Sequence, residues 1–109
     1  MLKGHLDGLL LAALEDGPLH GYAVLEVLRS GSGGAFDLPT GTVYPALHRL
    51  ERAGLVAGTW SRAAGRQRRS YRLTPAGRTA LEQQRANWRE FSAAMSAIMD
   101  REQTWPARA

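Results

Sequence analysis

The chain has 109 residues, the size of one ordinary domain with a single modest core. Apolar residues make up 44% of it and charged residues 22%, which excludes a disordered polyelectrolyte. It has no cysteine, which excludes disulfides, thiolate catalysis and cysteine-ligated zinc.

The longest purely apolar run, Leu9 to Leu14, is far too short for a membrane span. Asp7, Glu15 and Asp16 flank it and no small-residue cleavage site follows, so neither a signal peptide nor a membrane partner is expected. The predicted compartment is the cytoplasm. The net charge is +4 and the isoelectric point near 10.3, and the excess is concentrated. Between Glu51 and Glu82 lie Arg52, Arg62, Arg66, Arg68, Arg69, Arg72 and Arg78 with no acid among them. Elsewhere acids match or outnumber the bases. A short acid-free basic segment suits phosphate contact; the plainer alternative is a solvated arginine-rich hairpin.

Leu6, Leu9, Leu10, Ala13 and Leu14 form one stripe of an amphipathic helix over Leu2 to Leu14. Gly17-Pro18 ends it. A second helix is predicted from about His20 to Ser30, with either Tyr22, Leu25 and Leu28 or Val24 and Val27 inward. The stretch Ser30 to Gly34 reads as flexible, and Phe36 with Leu38 as an extended piece that pins the connection to the core. Thr40-Gly41-Thr42 opens a third helix carrying Val43, Ala46, Leu47, Leu50 and Leu55. Thr40 is a candidate cap, and Pro45 is placed near the first turn. Gly54 before Leu55 is the pattern of a left-handed helix terminator with an apolar residue after it.

Val56–Trp60 and Ser70–Leu73 are short strands, and residues 61–69 between them a long polar hairpin tip. Thr74 caps a last helix with Pro75 in its first turn. That helix runs to about Met99 with two seven-residue repeats: Leu81, Trp88, Met95 and Gln84, Phe91, Ile98. These six residues form a predicted dimerisation seam. The expected division is 1–74 for a nucleic-acid-binding unit, 75–100 for a dimerisation helix and 101–109 for a flexible tail.

This order, mainly α with a small two-stranded hairpin, is that of a winged helix-turn-helix with a C-terminal dimerisation helix. The third helix can approach a major groove, and the arginines of the hairpin, or wing, can reach phosphates. Candidate contacts to double-stranded DNA are Thr40, Thr42, Tyr44 and Arg49 from the third helix and Arg62, Arg66, Arg68 and Arg69 from the wing. Lys3 in the first helix is a further candidate phosphate contact. One short helix buries too little surface for tight specific binding, so a homodimer on two half-sites is expected.

The chain resembles the PadR family of bacterial transcriptional regulators in its short form with one C-terminal helix. The resemblance rests on Gly17-Pro18-Leu19-His20-Gly21-Tyr22, on Gly41-Thr42-Val43-Tyr44-Pro45-Ala46-Leu47-His48-Arg49-Leu50-Glu51 and on Gly54-Leu55. It continues through Gly65-Arg66-Gln67-Arg68-Arg69 and Tyr71-Arg72-Leu73-Thr74-Pro75-Ala76-Gly77. The family's wing often has paired glycines and paired tyrosines, where this chain has Ala64-Gly65 and Ser70-Tyr71. The resemblance implies a repressor binding a pseudo-palindromic operator, with Tyr44 contacting the DNA backbone. It also implies that Trp88, eleven positions after Gly77, lines a cavity at the dimer seam with Phe91 and Met95. Two such indoles would sandwich a flat aromatic effector. The alternative for Trp88 is plain seam packing, with Met95 and Met99 as core.

His5, His20 and His48 show no metal-ligand spacing, and His20 reads as a structural residue at the start of the second helix. No nucleophile with a base, phosphate-cradling loop or carboxylate pair is present, so neither catalysis nor a cofactor is expected. Two rival readings remain: a winged-helix protein–protein interaction module, and a metal-responsive regulator with the same DNA-binding mode.

Overall fold

A computed structural model describes residues 5–63 and 65–101. The elements are α1 (Leu6–Ala13), β1 (Leu19–His20), α2 (Gly21–Gly31), α3 (Thr40–Arg52), β2 (Val56–Ala63), β3 (Arg66–Leu73) and α4 (Pro75–Met99). The start of the predicted first helix, with Lys3, and most of the predicted tail lie outside the described residues.

The core is built from one side of each helix. Leu10, Leu11 and Leu14 meet Val24, Leu25 and Leu28 of α2, and Val43, Ala46, Leu47 and Leu50 of α3. Val56, Tyr71 and Leu73 close it from the sheet, and Leu81 from α4. The buried set of α2 mixes the two predicted alternatives. Val24, Leu25 and Leu28 adjoin on one helical face, while Val27 and Tyr22 are turned out. On α1, Leu11 replaces Leu6 and Leu9 in the deepest layer; those two are half-buried and pack on its edge.

The sheet has three strands, in the order β1-β3-β2, all antiparallel. β1 was not foreseen, because two residues carry no alternation to read. It forms where Leu19 and His20 pair with Tyr71 and Ser70 on the open edge of β3. The hairpin strands are also longer than predicted. They stay paired from Val56–Leu73 out to Ala63–Arg66, so most of the nine-residue tip is paired strand. Gly65, just before Arg66, has φ +77°, a left-handed conformation that suits a hairpin turn. Backbone pairing thus prevails over a run of residues that looks loop-like by composition.

The helix ends carry specific caps. In α3 the cap is Pro39, not Thr40: the Pro39 carbonyl accepts from the N–H groups of Thr42 (3.0 Å) and Val43 (3.2 Å). Pro45 therefore lies in the second turn, where its missing N–H leaves the carbonyl of Gly41 without its helical donor. At the other end Gly54 has φ +78°. Its N–H bonds to the Glu51 carbonyl and that of Leu55 to the Leu50 carbonyl, both at 3.0 Å, the paired bonds of a Schellman terminator. Thr74 caps α4 by accepting from the Gly77 N–H at 3.0 Å. Its hydroxyl donates to the Gly54 carbonyl at 2.6 Å, which ties the start of α4 to the end of α3. Ser32 follows α2: its hydroxyl donates to the Leu28 carbonyl (2.6 Å) and accepts from the Phe36 N–H (2.9 Å). Phe36 and Leu38 are thereby drawn onto the core.

Candidate nucleic-acid interface

The start of α3 and the wing face each other across a concavity of about 660 Å³. Tyr44 and His48 of α3, His20, Gly21 and Tyr22 around the start of α2, and Trp60, Gln67, Arg68, Arg69 and Tyr71 of the wing line it. Tyr44 is held by close approach. A Cβ on Gly21 would lie 2.2 Å from Cε1 of its ring, so only glycine lets the ring approach α2 this closely. Thr40 and Gly41 are exposed on the first turn of α3, and Thr42 is half-buried.

Strand alternation sorts the arginines. Trp60 pairs with Arg69 and Gly58 with Tyr71, so these four side-chain positions share one face of the hairpin. There the guanidinium of Arg69 sits 5.3 Å from the Trp60 ring centre and 5.9 Å from that of Tyr71. A Cβ on Gly58 would collide with it at 2.8 Å. Arg69 is also ion-paired with Glu51 of α3. The basic segment therefore does have an acidic partner, the glutamate at its own boundary, brought back by the turn at Gly54. Burial raises the pKa of the Tyr71 hydroxyl, and Arg69 partly counters this.

Arg66, Arg68 and Arg72 lie on the opposite hairpin face, all exposed. Arg62 is exposed near the tip, beside Gln67 in register. Arg49 does not join the cluster. Its guanidinium grips Asp7 of α1 with two bonds, of 2.9 and 2.7 Å, and this contact raises its pKa. Arg49 thus braces α3 against α1. Sequence reasoning placed neither Trp60 nor Gln67 at this surface; the alternation that puts Trp60 opposite Arg69 is the signal that could have found them.

A second concavity, of about 430 Å³, lies between α1 and α4, lined by His5, Leu9, Phe36, Gln84 and Trp88 among others. The Trp88 indole meets His5 edge-on at 5.3 Å and Phe91 at 5.9 Å, yet is 51% exposed. Phe91, Met95, Ile98 and Met99 continue this bare apolar surface. Leu81, expected at the seam, is instead buried in the chain's own core. Arg85 joins α4 to the turn after α1 through Glu15, at 2.7 Å from Nη1, with Glu82 alongside at 3.0 Å. Its guanidinium holds the Glu15 carboxyl below the usual range. Among the described residues, no group of three or more His, Asp or Glu gathers to hold a metal, and no helix is long and apolar enough to cross a membrane.

Three core-packed helices followed by a long hairpin that returns beside the third helix define a winged helix-turn-helix protein. Residues 10–83 match the transcriptional regulator PadR-like family, and the chain belongs to it. This is a family of regulators rather than enzymes. The chain is 41% identical over 78 residues to transcriptional regulator Rv3488 of Mycobacterium tuberculosis, covering 71% of this chain and 69% of that protein. A PadR family transcription regulator from Clostridium difficile superposes with a TM-score of 0.78 at 31% identity, covering 88% of this chain and 99% of that one. Bacillus subtilis PadR, solved in complex with operator DNA, shares the fold with a TM-score of 0.66 at 22% identity, covering 95% of this chain and 51% of that one.

Proposed function

We propose that this regulator is a repressor that binds a pseudo-palindromic operator as a homodimer. Residues 1–74 act as the DNA-binding unit, 75–100 as the dimerisation helix and 101–109 as a tail. The observation that carries the reading is the concave face between α3 and the wing, lined by Arg68, with Arg62 and Arg66 exposed further along the same hairpin. None of these three has a carboxylate partner among the described residues. Thr40 and Thr42 enter the major groove, Tyr44 and the wing arginines meet the adjacent DNA backbone, and Lys3 adds a phosphate contact. Arg69 and Arg49 position the wing and α3 through Glu51 and Asp7 rather than meeting DNA.

The bare stripe of Trp88, Phe91, Met95 and Ile98 supports a partner α4 packing across it. Two symmetry-related Trp88 indoles then flank a site for a flat aromatic effector. Such a ligand releases DNA only if it favours one spacing of the two α3 helices over the other.

Footprinting on the upstream intergenic DNA, at physiological salt with random competitor, tests the reading. Two protected patches with centres about one helical turn apart (~34–36 Å) are expected. Uniform weak coverage that vanishes with salt would mean electrostatic affinity alone, and would favour a protein-interaction module. For the effector, Trp88→Ala should still dimerise but lose binding of a flat cationic dye. Wild-type dye binding by that variant would sink the cavity reading.

A further inference from the structure

We infer that His20 and Arg68 together grip one phosphate of the DNA backbone, joining the start of α2 to the wing; this rests on the DNA-binding reading above. His20 caps α2: its Nδ1 accepts from the Ala23 N–H at 3.3 Å. On the other side of the ring, Nε2 lies 3.2 Å from Nη1 of Arg68. Guanidinium groups only donate, and a neutral imidazole has one donor and one acceptor. With Nδ1 accepting, the proton is on Nε2, so two donors face each other. The other tautomer merely moves the conflict to the Ala23 N–H, and the imidazolium has it on both sides. No protonation state of the ring satisfies both neighbours.

An acceptor from outside the chain resolves the conflict by taking both N–H groups at once. A phosphate suits this better than a base. Phosphate oxygens only accept, whereas a base edge mixes donors and acceptors and is read by flat bidentate groups. Arg68 has no carboxylate within ion-pair distance among the described residues. Both residues line the concavity that Tyr44 and His48 of α3 enter, so a bound backbone passes between α2 and the wing.

Binding of operator and random duplexes to the full chain, as His20→Asn, Arg68→Ala and the double variant, tests this. Asparagine still caps α2 through its side-chain oxygen but loses the outward N–H, so His20→Asn should melt with the wild type. It should lose affinity roughly tenfold on both duplexes, a charge-assisted bond being lost. Its salt dependence should not change, since a neutral donor releases no counterion. Arg68→Ala should lose affinity and about one unit of salt slope, and the double variant little more than Arg68→Ala alone. Ethylation of one phosphate per half-site should weaken the wild type and leave the double variant unaffected.

Wild-type affinity of His20→Asn would mean that water satisfies the pair, and would overturn the inference while leaving the DNA reading intact. A loss confined to one base pair would make His20 a base reader and also overturn it. So would saturation of the His20 ring signals by submillimolar inorganic phosphate alone, which would mark a free-anion site. A wild type that binds no duplex would remove both readings.

Discussion

Gly77→Ala probes the joint between α4 and the rest of the molecule. Gly77 is buried at the third position of α4, and a Cβ there would lie 1.9 Å from the Leu55 carbonyl oxygen and 3.3 Å from Cδ2 of Leu73. Carbon–oxygen contacts normally open to about 3.3 Å, so the two backbones must part by roughly 1.4 Å. The Leu55 carbonyl cannot simply turn away, because it accepts from the Thr74 N–H at 3.2 Å while the Leu55 N–H is held by Leu50 at 3.0 Å. Overpacking costs about 1–3 kcal/mol and a strained or lost hydrogen bond about 1 kcal/mol. Replacing a helical glycine returns about 0.5–1 kcal/mol. A net loss of about 2 kcal/mol corresponds to a fall in Tm of about 10 °C for a chain of this size. The assay is thermal unfolding followed by circular dichroism at one fixed protomer concentration, since a dimer's Tm depends on it. A fall of less than about 3 °C would refute the close-approach account of this glycine.

Three further outcomes are expected. Arg66→Ala should weaken DNA binding and reduce the salt slope by about 0.9; an unchanged slope would take Arg66 off the contact surface. A Cβ on Gly41 would meet no side chain or other element within 4 Å, and its φ is ordinary, so the fold does not require glycine there. Gly41→Ala should keep or raise Tm, by about 1 kcal/mol of stability at most, yet weaken operator binding by crowding the approach of α3; full-strength binding would place the first turn of α3 away from DNA. Glu15 titrates below its ordinary value of 4.5 in the folded chain because Arg85 holds it. Its stabilising contribution is therefore complete above pH 4.5 and fades as pH falls from there toward the depressed value. The Tm gap between wild type and Glu15→Gln should narrow over that acid window, and a gap constant down to pH 3 would contradict the pairing.

Much of the fold is legible from local chemistry. Gly54-Leu55 announces the end of α3, and Thr74-Pro75 the start of α4, because those caps are satisfied within a few residues of chain. Hydrophobic spacing finds all four helices for the same reason. The concentration of arginines in the wing is equally plain from composition alone. What each arginine meets is not. Arg49 pairs with an aspartate 42 positions earlier and Arg69 with a glutamate 18 positions earlier, and no local period encodes either distance.

The same division holds for the sheet and the long helix. β1 exists only because β3 presents a free edge to it, and the hairpin strands extend to the turn because each ladder bond stabilises the next. The repeat of Leu81, Trp88 and Met95 along α4 follows from 3.6 residues per turn, and sequence alone reveals it. That Leu81 turns into the core while Trp88 remains half-exposed beside His5 depends on where α1 crosses α4. The Gln84, Trp88 and Gly8 side of that crossing is left as a groove. Sequence determined which segments are helical, where they stop and where the positive charge is concentrated, since these depend on neighbours in the chain. Tertiary structure alone decided which charges are already paired and which stay open to a partner, because ion pairs form between surfaces that only the folded core brings together.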